Sequence, residues 1–299
     1  MNTIILNPEN YKNTYLAYLN QCFPNWGNTN TYDWIFERSV GEHESDILLI
    51  KDENNQVIAG SAVTYRKLKT ANGSEVDFGI MTGSWTLPEA RGKGCFSQMI
   101  DESKRICFAK GVPFLTAFVT ESNASYRRLR DAGFYGKTAD NVFSKESVFA
   151  SDSDFSTLKT VPVDVELLFE KYTHFASNHN VFGYSKAEFE GQYIKRLTPT
   201  ECIKVGETYC LFEDTGTIIK LLFLSDFNIN DLKVFCEWMR VHRDKKVMFF
   251  LSDDAKSKIA EANDFQFVKG FFMVQKTAAS IADSLSFFKQ ININLADKM

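Results

Sequence analysis

One short segment of this 299-residue chain places chemistry-bearing residue types at an informative spacing: Thr86-Leu87-Pro88-Glu89-Ala90-Arg91-Gly92-Lys93-Gly94-Cys95-Phe96. A strand read over 76–86 ends before Pro88, which has no backbone donor to extend a ladder. A helix then reads from the glycines to about residue 110. The start of a helix presents unpaired N–H groups and the positive end of the dipole, a combination that suits a phosphate or pyrophosphate. Gly92 and Gly94 let a ligand approach the backbone with no Cβ in the way, and Arg91 and Lys93 add positive charge. Two other phosphate loops, G-x-x-x-x-G-K-[ST] and G-x-G-x-x-G, are absent. What remains is R-x-x-G-x-(G/A), with Phe96 in the last place. Taken alone, R-G-K-G also fits a basic surface turn.

The elements that must position this loop follow from periodicity. A short strand at 4–6 precedes an amphipathic helix over 8–23, with Tyr11, Tyr15, Leu16 and Leu19 at helical spacing. A loop through Asn25, Trp26, Gly27 and Asn28 leads to a second short helix over 32–40. Strands at 47–51 and 57–65 read as a hairpin. After the loop, Phe96, Met99, Ile100, Ser103, Ile106 and Cys107 form the apolar stripe of a helix that Gly111 and Pro113 end. A buried strand (114–119) and a helix capped by Ser122 or Asn123 (122–132) follow, and Gly133-Phe134 begins another extended stretch.

Composition bounds what such a loop could serve. The chain carries 34 Lys plus Arg against 38 Asp plus Glu, a net charge of −4, which argues against a dedicated nucleic-acid binder. Its 44% hydrophobic and 24% charged residues are ordinary for a globular protein, and 27 Phe point to a thick core. The six cysteines show neither C-x-x-C nor a Cys/His cluster at metal-ligand spacing, so reduced thiols and no metal are expected. No signal-peptide pattern opens the sequence, and no run approaches the ~18 apolar residues of a membrane span. A soluble, cytoplasmic protein is the expectation, its oligomeric state left open.

Thirty residues after Arg91 comes Glu121-Ser122-Asn123-Ala124-Ser125-Tyr126-Arg127-Arg128-Leu129-Arg130-Asp131-Ala132-Gly133-Phe134. Together with Pro88-Glu-Ala-Arg-Gly-Lys-Gly94, it resembles the GNAT (Gcn5-related N-acetyltransferase) superfamily over roughly residues 40–150. The resemblance implies an α/β fold of the α+β type, with a mixed central sheet flanked by helices, and acetyl-CoA as co-substrate. It implies that the backbone of Arg91, Gly92, Lys93, Gly94, Cys95 and Phe96 holds the pyrophosphate. The strand at Trp85, Thr86 and Leu87 would pair with the pantetheine arm, and Asn123 would contact that arm. Arg127, Arg128 and Arg130 either help neutralise phosphate or form a solvated helix face.

Two positions depart from the family pattern. Phe96 replaces a small residue, and Leu129 stands where a Tyr often protonates the departing thiolate. Tyr126 lies three residues earlier on the same helix and either takes that role or packs. Direct transfer to an amine also needs a base and oxyanion donors. Asp77 and Glu121 are the candidate bases, against the plainer readings of a solvated strand end and a helix-end carboxylate. Trp26 and Trp34 either wall the acceptor cleft or pack in the core.

The boundary is expected at the Ser151-Asp-Ser-Asp154 stretch, giving a catalytic domain over 1–150, a linker over 151–163 and a second domain over 164–299. Residues 247–265 parallel 114–134, which looks like a second, degenerate GNAT unit. No glycine falls between Leu224 and Val247, so this half is not expected to bind coenzyme A. The functional expectation is an acetyl-CoA-dependent N-acyltransferase acting on a small-molecule or protein amine, with neither membrane nor nucleic acid as partner. The alternative is a non-catalytic acyl-CoA-binding or partner-docking module, which Leu129 favours. Aminoacyl transfer from charged tRNA is suggested only by the tandem architecture, and the net charge weakens it.

Overall fold

Glycines, prolines and capping side chains divide this sequence into short elements, which a computed structural model describes for residues 2–38, 40–145, 155, 158–279 and 285–298. The first stretch runs β1 (Thr3–Leu6), α1 (Lys12–Cys22), α2 (Thr29–Tyr32), β2 (Asp46–Lys51), β3 (Val57–Lys69), β4 (Glu75–Thr86), α3 (Cys95–Ala109), β5 (Phe114–Thr120), α4 (Ala124–Asp131), β6 (Tyr135–Thr138) and β7 (Asp140–Phe143). The second runs β8 (Leu158–Val161), α5 (Val165–Ser177), β9 (Val181–Gly183), α6 (Lys186–Phe189), β10 (Thr200–Val205), β11 (Thr208–Asp214) and β12 (Ile219–Leu224). It continues with α7 (Ile229–Arg243), β13 (Val247–Leu251), α8 (Asp254–Ala262), β14 (Gln266–Val268), β15 (Gly270–Lys276) and α9 (Leu285–Lys289).

These elements form two compact units. One takes residues 1–68, 75–136 and 272–285, the other 69–74, 137–271 and 286–299. Of the expected linker over 151–163, residues 151–154, 156 and 157 lie outside the described residues, and Leu158–Val161 form β8, paired with β10 rather than linking. In the first unit the sheet order is β1-β2-β3-β4-β5-β15-β6, and in the second β14-β7-β13-β12-β11-β10-β8. Residues 266–276 are therefore two strands rather than one, parted at Lys269 and sent to different sheets. Gly270 sits at the parting, where a Cβ would stand 2.3 Å from the Ala139 carbonyl oxygen, so only glycine fits.

Core formation follows the periodic apolar positions. Tyr15 and Leu19 of α1 are fully buried beside Tyr32, Phe36, Trp85 and Leu87. On α3 the buried set is Cys95, Met99, Ile100, Ser103, Ile106 and Cys107, with Phe96 only half-buried at its edge. The helix expected over 32–40 is instead the end of α2 and one π-helical turn over Asp33–Glu37. That wider turn buries Phe36 and leaves Trp34 half-buried, with the Arg38 guanidinium 3.6 Å from its ring. Trp26 stacks on Phe36 at 5.8 Å.

In the second unit, β12 and β13 pair in parallel at only two positions, Ile219 with Val247 and Lys220 with Met248. Where they part, the end of the chain packs in. Ile293 N–H donates to Ser252 Oγ at 2.9 Å, the Gln192 amide donates to the Ala296 carbonyl, and Ala296 packs with Leu222 and Phe223. Asp297, fully buried, accepts from Tyr193 OH at 2.7 Å and Tyr184 OH at 3.1 Å.

Candidate active site

The geometry of the first unit turns on β4. It pairs in parallel with β5 at Phe78–Phe114, Gly79–Leu115 and Ile80–Thr116, and the pairing stops there. Three residues later Gly83 takes a left-handed φ of +57°, a break in an extended run that bends the strand and its twist. Tyr15 OH donates to the Gly83 carbonyl at 3.2 Å and pins the bend to α1. Beyond Ile80, β4 and β5 thus present facing edges with no mutual hydrogen bonds. A slot of this kind can accept an extended chain with amide groups.

Because β4 and β5 are parallel, their C-terminal ends lie at the same end of the sheet. The loop of Arg91 to Phe96 follows one, and the turn of Glu121 to Asn123 follows the other. Gly92 and Gly94 adopt φ of +81° and +77°, and a Cβ at either would meet nothing within 4 Å. Gly94 caps α3 without a side chain. The first intrahelical bond runs from Gln98 N–H to Gly94 O at 3.1 Å, so the N–H groups of Cys95, Phe96 and Ser97 have no intrahelical acceptor. No acidic residue sits in the first turn of α3. Arg91, Gly92, Lys93 and Gly94 are exposed, so amides and cations face solvent together.

The corresponding helix of the second unit is built differently. The side chain of Asn228 accepts from Asn230 N–H and Asp231 N–H, and Asp231 adds a carboxylate to the first turn. The helix start that a phosphate would seek is therefore already satisfied and negative. Between α3 and α7, only α3 starts without a side-chain cap or an acid in its first turn.

Trp85, Thr86 and Leu87 end β4 beside this loop. Trp85 lies flat against Gly60, where a Cβ would stand 2.7 Å from the ring, and stacks on Tyr18 at 4.7 Å. Trp85 Nε1 and Tyr11 OH are buried without a hydrogen-bond partner, and burial raises the Tyr11 phenol to about 12, with Tyr18 adding to the rise. Sequence reading passed over Cys22. Its Sγ donates to Thr86 O at 3.9 Å, and it is the only described cysteine that is not buried. Burial raises its thiol, while nearby Arg91 pulls the other way. The sole sequence signal was its place at the end of the α1 stripe.

The structure brings together three of the other candidates. Asn123 caps α4, its Oδ1 accepting from Ser125 N–H at 3.1 Å, while Glu121 stands exposed just past β5. Tyr126 is half-buried on the first turn of α4, with the Arg130 guanidinium 5.7 Å from its ring. Leu129 is fully buried and Arg127, Arg128 and Arg130 are exposed. Asp77 is not with them. It precedes the first β4–β5 pair, six residues before the Gly83 bend and so roughly 20 Å along the strand at ~3.3 Å per residue. Among the described residues, no group of His, Cys, Asp or Glu could hold a metal ion, and no helix is long and apolar enough to cross a membrane.

A family model described as the acetyltransferase (GNAT) domain matches residues 5–133, starting upstream of the motifs that first suggested it. None of the curated proteins compared matches the chain in sequence. Among solved structures, a GCN5-related N-acetyltransferase from Anabaena variabilis is similar with a TM-score of 0.65 at 15% identity, over 93% of this chain and 73% of that one. A tandem GNAT protein from the clavulanic acid biosynthesis pathway is similar at 0.63 and 11% identity, over 94% of this chain and all of its own. The N-myristoyltransferase of Saccharomyces cerevisiae, solved with myristoyl-CoA bound, is similar at 0.60 and 11% identity, over 91% and 78%. At these identities the likeness is one of fold. The family match, the parted strands and the glycine loop agree: residues 5–133 are similar to the acetyltransferase domain of the GNAT family.

Proposed function

We propose that the first unit is an acetyl-CoA-dependent N-acyltransferase that moves an acetyl group directly to an amine of a small molecule or protein. The observation that carries this reading is the parting of β4 from β5 at Ile80 and Thr116, beside a helix start with free amides and no acid. The loop from Arg91 to Phe96 would hold the pyrophosphate through N–H groups, with Arg91 and Lys93 adding charge. The stretch at Trp85, Thr86 and Leu87 would bond the amides of the pantetheine arm through its groups that face β5, Leu87 N–H being given instead to Ile58 O at 2.9 Å, with Asn123 across from it. Bound there, acetyl-CoA supplies an activated acyl carbonyl.

The chain's own residues then have three tasks. The free β4 backbone offers donors to the carbonyl oxygen as negative charge grows on it. Glu121, exposed at the mouth, accepts the proton of the attacking amine, directly or through water. Tyr126 offers its phenolic proton to the departing sulfur. Asp77, at the other end of β4, has no part in this scheme.

Thiol release from acetyl-CoA, measured against a panel of primary amines, tests the proposal. Turnover with at least one amine is expected, and Tyr126→Phe should lower kcat about tenfold (~1.4 kcal/mol) with the KM for acetyl-CoA unchanged. The effect stays modest because a thiolate leaves readily without full protonation. The second reading, acyl-CoA binding without turnover, rests on Leu129, whose fully buried side chain has no proton to give. Binding with no thiol release for any amine would select it.

Cys22 supplies a check on where the coenzyme lies. Ellman's reagent should label it ahead of the five buried thiols in the native protein, since access limits thiol reactivity. Saturating acetyl-CoA should slow that labelling, because Cys22 adjoins Thr86. An unchanged rate would place the coenzyme elsewhere.

A further inference from the structure

The second unit holds a cavity of about 290 Å³ where β12 and β13 part, in front of the chain's C-terminal segment. Its floor is apolar, with Leu222, Leu224, Phe249, Leu251 and Leu295 among the lining residues. One cation enters it. Lys256, on the first turn of α8, is half-buried with Nζ 5.6 Å from the ring centres of both Phe175 and Phe227. Among the described residues this Nζ has neither a hydrogen-bond nor an ion-pair partner, and burial lowers its pKa against the opposing pull of Asp253 and Asp226.

The other charged groups around it are accounted for. Asp253 is spent as the cap of α8, accepting from Ala255 N–H at 2.8 Å and Lys256 N–H at 3.1 Å. Asp226 is exposed at the rim. The ring of His179 stacks on Phe175 at 4.6 Å, and its Nδ1–H donates to the Phe175 carbonyl at 2.8 Å. A second, polar cavity of about 300 Å³ shares His179, Ser252, Asp253 and Asn292 with the first. Lys137 and Asp254, 4.0 Å apart, also line it. A chamber with an apolar floor and a polar rim thus adjoins a polar cavity, with an unpaired ammonium held over two phenyl rings.

We propose that this chamber binds an apolar monocarboxylate, its hydrocarbon body on the leucine and phenylalanine floor and its carboxylate against Lys256 Nζ. A cationic ligand would meet the half-buried ammonium. A neutral one would leave that charge without its hydrogen-bonded counterion, the state that partly buried charge disfavours. At the small end of ligand cavities, the chamber suits a short acid. The site is independent of the acyl-transfer reading, since no residue in it belongs to the first unit.

Calorimetric titration of the full-length protein with octanoate, octanamide and octylamine tests this. Octanoate should bind, and octanamide and octylamine should each bind at least tenfold more weakly. Lys256→Met, which keeps the apolar stem, should weaken octanoate binding at least tenfold, with its folding checked by thermal melting. The comparison of acid and amide on the wild-type protein needs no variant. Equal binding of octanamide, tighter binding of octylamine, unchanged octanoate binding by Lys256→Met, or no binding of octanoate at millimolar concentration would each overturn the proposal.

Discussion

Gly94→Glu is expected to remove coenzyme binding altogether while leaving the protein folded. At φ +77° an L-residue pays about 1–2 kcal/mol of backbone strain, yet a Cβ there meets nothing within 4 Å. The fold therefore has room for the new side chain, and the loss falls on the ligand, whose phosphates would face a carboxylate in place of free amides. Melting with and without acetyl-CoA reads this directly. At a ligand concentration 100 times its dissociation constant, the wild type should gain about 2.7 kcal/mol, and Gly94→Glu should gain nothing. Gly94→Ala separates the two causes, since it adds the strain without the charge and should bind weakly rather than not at all. A stabilisation of Gly94→Glu equal to that of the wild type would place the phosphates away from this loop.

Asp297→Ala should destabilise the second unit by about 3 kcal/mol. Tyr193 is fully buried, and burial together with Asp297 holds its phenol well above the usual range, so it remains a donor. The variant leaves Tyr193 without that acceptor and takes one from Tyr184 OH, and hydrogen bonds to a charged group contribute about 1.5–3 kcal/mol each. The melting temperature should fall by roughly 6–12 °C. Asp297→Asn keeps an acceptor oxygen and should cost less. In a double-mutant cycle with Tyr193→Phe, a coupling of 1 kcal/mol or more is expected. Additive losses would mean that the Tyr193–Asp297 hydrogen bond does not help hold the C-terminal segment.

Much of this was legible in the residues. The glycine loop, the α3 stripe and the Asn123 cap are local signals, and each appears where its chemistry put it. The hairpin of β2 and β3 and the strand–helix–strand run from Val247 to Phe265 were equally plain, because period-2 and period-3.6 patterns survive in a single sequence. Three features were not legible, for one shared reason. The bend at Gly83, the parting of β14 from β15 and the seating of residues 292–297 against β12 and β13 all depend on partners far away in the chain. A glycine inside a strand announces a bulge or a close approach without saying which. Nothing in Gln266 to Lys276 marks Lys269 as the point where pairing changes sheet, and Gly270 becomes informative only once Ala139 is placed opposite it. Tyr126 was singled out by spacing, and it is half-buried on the first turn of α4. Asp77 was singled out as a carboxylate at the start of the central strand, and the direction of β4 puts that start at the end away from the glycine loop.

The place of β15 between β5 and β6 also orders events in time. A ribosome releases β6 long before β15, with about 140 residues between the end of the first unit's main segment and the end of β15. At ~5–20 residues per second, that interval is roughly 10–30 s. Throughout it, the nascent first unit carries two strand edges that await a partner not yet made, the kind of exposed edge that recruits other chains. The slot between β4 and β5 is already encoded by then, so both of its walls precede the strand that completes the sheet.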